Sequence, residues 1–379
     1  MAQVFTPAHR ATLLLTSEVQ SAPSTATAQP CKVVECFCVE GSDPSTVVAA
    51  FDPGSVLDGR VGLVSQKGKK SLPNQDSAFY LDFVDGDGAL VWLACVMDGH
   101  GPLGHLMSRL VMQWLPVLVL RDPVMAGAAG CVIPSDPQVV FDGVTAAFAK
   151  MGDLMRRASA GSLERELSGT TCVFALCARG LLHTANVGDS RAVLGCLHSK
   201  PGASSLALNV EVRSLTRDHK PDDVMERPRI EAKGGLVERQ RVYLQTWPYV
   251  GLNLSRSFGD SKVHAVGVCD TPDVATAFLD AGSEGQFLIL ASDGVWEFMS
   301  SEDAAESVAA HLQEADRRAT EAATAAAVAD SKRNRVGAGL AEQQPPAQGA
   351  ALRLVRRAED SWRRQSDELD DITTVLVRI

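Results

Sequence analysis

Short apolar runs that begin or end at acidic residues are the clearest pattern along the chain. Three of them are residues 91–97 followed by Asp98, residues 287–291 followed by Ser292 and Asp293, and residues 372–377 preceded by Asp370 and Asp371. Runs this short, rich in β-branched and aromatic residues, favour strands over helices. The pattern therefore predicts three buried strands, each with a carboxylate at one end.

The rest of the pattern predicts four helices and further strands. Helical spacing of apolar residues or high alanine content covers 104–119, 139–157, 302–329 and 351–364. Additional strands are predicted at 78–83, 172–177, 181–187, 192–194 and 210–216. Turns at 178–180 and 188–191 would make successive hairpins, which predicts antiparallel sheet. The proline- and glycine-containing stretches 121–137 and 330–350 predict loops.

The acids at the strand ends have two interpretations. Asp-Gly is a common hairpin dipeptide, so Asp98-Gly99 taken alone favours a simple turn. Carboxylates gathered at neighbouring strand ends, however, would repel each other and cost stability unless a cation neutralised them. Hard oxygen ligands of this kind suit Mg²⁺ or Mn²⁺, so the second interpretation is a metal site.

Composition excludes several classes of protein. The 379 residues are 45% hydrophobic, which is enough for a substantial core. A net charge of -10 argues against nonspecific binding to nucleic acid or anionic membrane, and no stretch approaches the roughly 18 apolar residues of a membrane span. Nine cysteines form no Cys-x-x-Cys pair, which predicts small core residues in the reducing cytoplasm or nucleus and no zinc site.

The chain is expected to hold one domain behind an N-terminal extension. Residues 1–54 predict a partly disordered extension, in which 31–40 could add a strand to the main sheet and 41–60 would form a loop. The compact domain is expected over 55–379. Within it, residues 221–262 are highly charged and show no long periodic element, and an excursion of this length inside a compact domain is usually functional or disordered.

Eight short motifs in one order give the chain its family resemblance. They are 74–76 (Asn-Gln-Asp), 98–101 (Asp-Gly-His-Gly), 168–171 (Ser-Gly-Thr-Thr), 186–191 (Asn-Val-Gly-Asp-Ser-Arg), 215–221 (Leu-Thr-Arg-Asp-His-Lys-Pro), 254–260 (Leu-Ser-Arg-Ser-Phe-Gly-Asp), 292–296 (Ser-Asp-Gly-Val-Trp) and 370–373 (Asp-Asp-Ile-Thr). Together they resemble the metal-dependent Ser/Thr protein phosphatases of type 2C over about residues 60–379. Each motif alone is unspecific, but eight in order make coincidence unlikely.

The resemblance implies an α+β fold, a four-layer α/β/β/α sandwich of two antiparallel sheets flanked by helices. Continuous apolar strands would otherwise favour a parallel sheet, in which both faces are buried. In the implied fold, helices bury one face of each sheet and the opposing sheet buries the other. Residues 221–262 match the family's flap beside the cleft. Its Arg239, Arg241, Tyr243 and Trp247 would either contact substrate protein or pin the flap to the domain.

The resemblance also implies a set of metal ligands. Asp98 would bridge two divalent cations, Mg²⁺ or Mn²⁺, with the Gly99 carbonyl on one of them. Asp293 and Asp370 would bind the other, and Asp76 would act through bound waters. Asp189 matches a ligand of a third, weaker cation, although Glu297 stands where the family often has an aspartate.

Two departures from the family concern phosphate binding and charge. The residue before Asp76 is often glutamate in the family and is Gln75 here, which removes one negative charge. The phosphate-binding arginine of many members is absent, and Lys70 or Lys69 lies near its place. Lysine lacks the two-pronged geometry of arginine, so weaker phosphate positioning is expected.

The expected reaction is hydrolysis of phosphoserine and phosphothreonine in protein substrates by a monomeric enzyme. Two cations about 4 Å apart lower the pKa of a bridging water, and the hydroxide would attack phosphorus directly. His100 would protonate the leaving oxygen, assisted by Asp76 and Lys70 as further catalytic groups. Alternatively, His100 only orients the site through a hydrogen bond to Asp98 or Asp76.

The sequence is also compatible with two rival functions. Type 2C folds without activity serve as scaffolds, but such folds lack metal-ligating acids, whereas Asp98, Asp293 and Asp370 are present. A two-metal nuclease would need an extended basic groove, and the acidic composition disfavours one. No nucleic-acid partner is therefore expected.

Overall fold

The computed structural model describes residues 46–48, 59–125, 132–198, 210–245, 247–279, 285–331 and 345–379. The strands are β1 Thr46–Val48, β2 Val61–Gln66, β3 Ser77–Val84, β4 Leu90–Met97, β5 Gly99–His100, β6 Gly169–Thr170, β7 Cys172–Ala178, β8 Leu181–Val187, β9 Arg191–Leu197, β10 Val210–Ser214, β11 Leu236–Glu238, β12 Arg241–Leu244, β13 Trp247–Leu252, β14 Phe258–Gly259, β15 Asp273–Phe278, β16 Gln286–Ala291 and β17 Ile372–Arg378. The helices are α1 Gly104–Leu120, α2 Pro137–Ser159, α3 Leu163–Glu166, α4 Arg227–Ala232, α5 Ser261–His264, α6 Asp293–Trp296, α7 Ser301–Ser331 and α8 Pro346–Gln365.

Two antiparallel sheets form the centre of the fold. The first sheet has the strand order β1-β2-β17-β16-β9-β10, and the second has the order β15-β8-β7-β4-β3. Residue pairs such as Leu290 with Val375 in the first sheet and Ala94 with Ala175 in the second set the register. The antiparallel arrangement confirms the fold that the resemblance implied.

Three layers of apolar side chains hold the sheets and helices together. Between the sheets, Tyr80 and Trp92 of the second sheet belong to the same buried cluster as Leu288 and Val375 of the first. Helices α1 and α2 pack on the outer face of the second sheet, and α7 and α8 pack on the outer face of the first. Both faces of each sheet are therefore buried, which explains why the central strands are apolar without alternation.

The four long helices begin and end close to the predicted positions. Helix α2 starts where the Asp136 side chain accepts a hydrogen bond from the Gln138 backbone N–H, with Pro137 at the first helical position. This arrangement satisfies one free N–H and uses a residue that needs none. None of the described helices is long and apolar enough to cross a bilayer.

Two local predictions were wrong. Residues 46–48, predicted as loop, form β1 and pair with β2, whereas the predicted strand at 31–40 lies outside the described residues. The turn at 188–190 is not a hairpin, because β8 pairs with β7 and β15 while β9 pairs with β16 and β10. That turn carries the chain from the second sheet to the first. Strand-turn-strand spacing alone does not reveal which sheet the second strand enters.

The excursion at 221–262 is ordered in its described part. Strands β11, β12 and β13 form a small antiparallel sheet, and a separate apolar cluster lies beneath it, built on Ile230, Val242 and Val263. Arg241 donates a hydrogen bond to the Gly251 carbonyl within the same sheet. That contact favours a role in holding the flap together for Arg241. Arg239 is exposed at a turn with positive φ.

Three of the cysteines are buried in the second sheet, as expected for small core residues. Cys95, Cys172 and Cys177 are free thiols, and burial raises the pKa of Cys177 to about 12. The Sγ atoms of Cys95 and Cys172 lie 3.5 Å apart on neighbouring strands. Thiols with raised pKa values are poor nucleophiles, which fits packing rather than reactivity.

Candidate active site

The ends of four strands meet at one edge of the sandwich and gather the acids there. In the second sheet Ser77 pairs with Met97, so Asp76 and Asp98 are neighbours across the end of that pair. In the first sheet Asp293 follows β16 and Asp370 precedes β17, which pairs with β16. The turn that crosses between the sheets contributes Asp189, whose charge acts on Asp293. Residues separated by up to 294 positions in the chain thus form one cluster.

Hydroxyl groups tie the two strand pairs together at this edge. Ser292 donates from Oγ to Oδ2 of Asp76 at 2.9 Å and accepts from the Thr373 backbone N–H at 3.0 Å. Thr171 accepts from the Asp98 backbone N–H at 3.0 Å and shares a 2.7 Å hydrogen bond with Ser190. The backbone carrying each acid is therefore held by neighbours from another element, which fixes the positions of the carboxylates.

Burial and mutual repulsion make ionisation of these acids unfavourable. Burial, followed by the charge of Asp371, raises the pKa of Asp76 well above its usual value. Burial and then the Asp293 charge do the same for the pKa of Asp98. The pKa of Asp293 is raised to about 7, by burial first and then by Asp189 and Asp370. Such a cluster is stable in ionised form only beside positive charge.

Two lysines supply part of that charge. Lys70 forms an ion pair with Oδ1 of Asp370, and Lys220 lies with Nζ 2.5 Å from Oδ2 of Asp189. Burial lowers the lysine pKa, but the acids outweigh it, so the pKa of each lysine is raised. Both ammonium groups are thus stabilised in their charged form.

The donor set fits divalent cations in charge and in unused oxygen atoms. The six acids of the cluster are Asp76, Asp98, Asp189, Asp293, Asp370 and Asp371. With the two lysines they leave four negative charges, which two divalent cations would neutralise. Oδ1 of Asp76 and Oδ1 of Asp293 are buried and lack a hydrogen-bond partner, which is costly unless a cation takes them. In the described part of the chain, however, no three His, Cys, Asp or Glu side chains already stand in an arrangement that could hold a metal ion.

Asp371 and Gln75 organise the loop that precedes Asp76. Asp371 accepts backbone hydrogen bonds from Gly68 at 2.7 Å and from Gln75 at 2.8 Å. The Gln75 amide donates to the Gly101 carbonyl at 2.7 Å. Gln75 therefore braces the turn after Asp98, a role that its position in the sequence did not indicate.

Close packing around Gly99 explains the glycine at this position. A Cβ atom there would lie 2.4 Å from the Gly104 carbonyl oxygen and 2.5 Å from that of Gln75. Any side chain would push the backbone of the acid turn out of place. The glycine that follows the acid thus has a structural requirement independent of any metal.

His100 is bonded to an acid from a distant motif. Its Nε2 lies 2.6 Å from Oδ2 of Asp260, rather than against Asp98 or Asp76 as the orienting alternative supposed. Burial lowers the pKa of His100, but the Asp260 carboxylate outweighs burial and the net pKa is raised. A quarter of the His100 side chain is exposed, so the ring is held at Nε2 and is only partly buried.

The structure separates the remaining sequence candidates. Lys70 contacts the acid cluster, whereas Lys69 is exposed and bonds through its backbone N–H to the Leu369 carbonyl. Glu297 is also exposed, just after α6. Sequence reasoning missed Lys220 and Asp260 as members of the site. Both lie in motifs that carry the resemblance, at 215–221 and 254–260, but nothing in the order of residues shows what they touch.

Comparisons with known proteins point to one family. The family model described as "Protein phosphatase 2C" matches residues 112–336. "Probable protein phosphatase 2C 64" of Oryza sativa subsp. japonica is 35% identical over 270 residues, which cover 68% of this chain and 59% of that protein. "Probable protein phosphatase 2C 61" of Arabidopsis thaliana is 33% identical over 311 residues, covering 74% of this chain and 86% of that protein.

Solved structures agree on the fold. The serine-threonine phosphatase 2C from Toxoplasma gondii gives a TM-score of 0.64 at 21% identity, with 88% of this chain and 99% of that chain covered. A sex-determining protein of C. elegans gives a TM-score of 0.57 at 20% identity, with 84% of this chain and 64% of that chain covered. At these identities the likeness concerns the fold alone.

Proposed function

Because the chain belongs to the protein phosphatase 2C family, we propose that it is a metal-dependent protein phosphatase that hydrolyses phosphoserine and phosphothreonine in protein substrates. The observation that carries the proposal is the cluster of acids at one edge of the sandwich, with two buried oxygens, of Asp76 and Asp293, that lack a hydrogen-bond partner. An edge with only a structural role would be destabilised by so much uncompensated negative charge.

The residues that would hold two divalent cations, Mg²⁺ or Mn²⁺, follow from the cluster and the family. Asp98, Asp293, Asp370 and the Gly99 carbonyl are the groups that would hold them, and Asp76 would do so through bound waters. Bound cations would offset phosphate charge and lower the pKa of water toward neutrality. Loading requires Lys70 to release Asp370, which an exposed lysine can do at small cost.

A third cation is proposed to bind weakly at Asp189, because it must first displace Lys220 from that carboxylate. The 2.5 Å ion pair between these residues already neutralises Asp189, and Glu297, the other candidate ligand, is exposed. Occupancy of this position is therefore expected at high cation concentration. Its test is the number of Mn²⁺ ions bound per chain in equilibrium dialysis at rising Mn²⁺.

Lys70 and His100 have the positions for two parts of the reaction. Lys70 is 45% exposed, so its ammonium can move from Asp370 to a phosphate oxygen of the substrate and offset charge there as a point charge. His100, held at Nε2 and partly exposed, can give a proton to the serine or threonine oxygen as the bond to phosphorus breaks. Direct attack by water needs no covalent intermediate on the protein.

Phosphate release from a phosphothreonine peptide tests the proposal. Metal-stripped protein is titrated with Mg²⁺ or Mn²⁺, with Asp98→Asn in parallel and Asp153→Asn, a change on the exposed face of α2, as the matched control. The expected result is release that requires the cation, survives Asp153→Asn and falls at least a hundredfold in Asp98→Asn. Single-stranded DNA in place of the peptide should give no cleavage.

Absence of release at any cation concentration, from protein shown to be folded, would favour the scaffold alternative. Among the described residues, no three His, Cys, Asp or Glu side chains stand in an arrangement that could hold a metal ion, and this observation favours the scaffold alternative. Cleavage of the DNA would instead favour a nuclease. We further propose a monomer that acts in the cytoplasm or nucleus, which light scattering of the purified chain and cell fractionation would test.

A further inference from the structure

The contact between His100 and Asp260 joins two motifs that lie 160 residues apart. Asp260 follows β14, and β14 pairs through β6 with β5, which carries His100. The small sheet β14-β6-β5 thus brings the acid to the histidine. The contact forms only when the chain folds, and the sequence around either residue does not indicate it.

Asp260 is held more firmly than a surface acid would be. It is 3% exposed, its Oδ2 accepts a 2.6 Å hydrogen bond from Ser257 Oγ, and its backbone N–H donates to the Ser168 carbonyl at 2.9 Å. A Cβ atom on Gly169 would lie 2.1 Å from the same Oδ2. The carboxylate therefore fits a space that only glycine at position 169 leaves open.

The backbone at Asp260 is also unfavourable for a residue with a side chain. Its φ is +44°, in the left-handed region that non-glycine residues seldom adopt. Such strain persists where the surrounding structure imposes it, often because a side chain must point in a given direction. Among the ion pairs of the described residues, the partner of Asp260 is His100.

We propose that Asp260 is a positioning residue for proton transfer: it binds Nε2 of His100 and so leaves Nδ1 as the nitrogen that protonates the leaving oxygen. The inference rests on the proposed phosphatase function. The Nδ1 proton moves to the serine or threonine oxygen as the electron pair of the breaking P–O bond goes to that oxygen. The neutral imidazole keeps its Nε2 hydrogen bond to Asp260 and regains a proton at Nδ1 from solvent.

Leaving-group dependence separates this role from a structural one. A serine or threonine oxygen needs a proton to leave, whereas an aryl oxygen with a low pKa does not. Asp260→Asn should therefore lower kcat on a phosphothreonine peptide by about 10- to 100-fold, the usual range for loss of an orienting partner. The same variant should lower kcat on p-nitrophenyl phosphate by less than about threefold, since no general acid is needed.

A double-mutant cycle adds a second readout. His100→Ala should show the same selective loss on the peptide, and Asp260→Asn in that background should add little, because the two residues act as one unit. Asp122→Asn serves as the matched control, since Asp122 is also a buried acid with one cationic partner, Lys150, and lies in the connection after α1. It should change both substrates alike or not at all.

Equal losses on peptide and aryl phosphate in Asp260→Asn, or additive losses in the cycle, would overturn the proposal. The ¹⁵N NMR signals of the His100 ring test the contact with Asp260 even in protein that shows no activity. The Nε2 signal should shift in Asp260→Asn and not in Asp122→Asn, and an unchanged signal overturns the contact itself. A wild-type protein that releases no phosphate overturns the proton transfer, while the ring signal still decides the positioning contact.

Discussion

Replacing Asp293 by asparagine should make the metal-stripped protein more stable while it abolishes phosphatase activity. Asp293 lies beside Asp189 and Asp370, and burial together with these charges raises its pKa to about 7. In the unfolded chain the same group has its usual pKa of 3.8. Between about pH 4 and pH 7 the folded protein therefore holds a proton that the unfolded chain has released.

The size of the effect follows from this difference in pKa. A shift of about three units corresponds to roughly 4 kcal/mol at about 1.4 kcal/mol per unit. Because the folded pKa is the higher one, stability is lost as pH rises from about 4 to about 7 and stays lost above that. Asparagine has no proton to lose, so Asp293→Asn escapes this loss. Its advantage over wild type should grow to at most about 4 kcal/mol by pH 8.

Urea unfolding at several pH values, with chelator present, measures the effect. The matched control is Asp218→Asn, because Asp218 accepts two hydrogen bonds from Arg191 and its loss should lower stability instead. Adding Mg²⁺ at 100 times its Kd should stabilise wild type by about 2.7 kcal/mol and the Asp293 variant by much less. Parallel pH curves for wild type and Asp293→Asn, or a less stable variant at pH 8, would refute the reasoning.

Three further changes test other parts of the structure. Burial raises the pKa of Glu226, but hydrogen bonds from Arg256 and Arg229 outweigh burial and lower the pKa to about 2. Glu226→Gln should therefore cost about 3 kcal/mol of stability at pH 7. This cost should disappear as pH falls from about 4.5 to about 2. Burial lowers the pKa of His183 to about 4, so wild type should lose roughly 3 kcal/mol as pH falls from 6.5 to 4, and His183→Gln should lose less. Gly195→Ala would bring a Cβ atom within 2.2 Å of the buried Phe287 ring and should cost about 1 to 3 kcal/mol.

Chemical denaturation across pH measures all three, and each has an outcome that would contradict it. A cost below about 1 kcal/mol for Glu226→Gln would mean that its ion pairs with Arg229 and Arg256 contribute little to the stability of the folded protein. If wild type and His183→Gln lost the same stability as pH falls from 6.5 to 4, other groups would be responsible for that loss. A neutral Gly195→Ala would show that the Phe287 ring has room to move. Glu314→Gln, on the exposed face of α7, is the control for loss of a surface acid and should leave stability unchanged.

Much of the fold could be predicted because local sequence encodes it. The run at 91–97 is apolar throughout because both faces of its sheet are buried, and helix α2 shows the helical repeat of a helix with one buried face. Antiparallel packing in four layers came from the resemblance. Residues 46–48 were missed because a three-residue strand carries little pattern, and its pairing with β2 decides its state.

The residues of the candidate site, too, could be predicted only in part from the sequence. Asp98 and Asp293 could be singled out, since an acid after an apolar strand is visible in the sequence. The ion pair of Lys220 with Asp189 and the bond from Asp260 to His100 could not. Both depend on which strands become neighbours, and a motif does not state the partners of its members.

The sequence by itself determined the four long helices and most of the central strands, that acids end those strands, and which family the motifs resemble. Only the tertiary structure decided that the turn at 188–190 passes from one sheet to the other, that Gln75 braces the Gly101 turn, and that Asp260 holds His100. The physical reason is range. Hydrophobic repeats and turn preferences act between residues close in the chain, whereas hydrogen bonds and charges act between atoms that folding brings within a few ångströms.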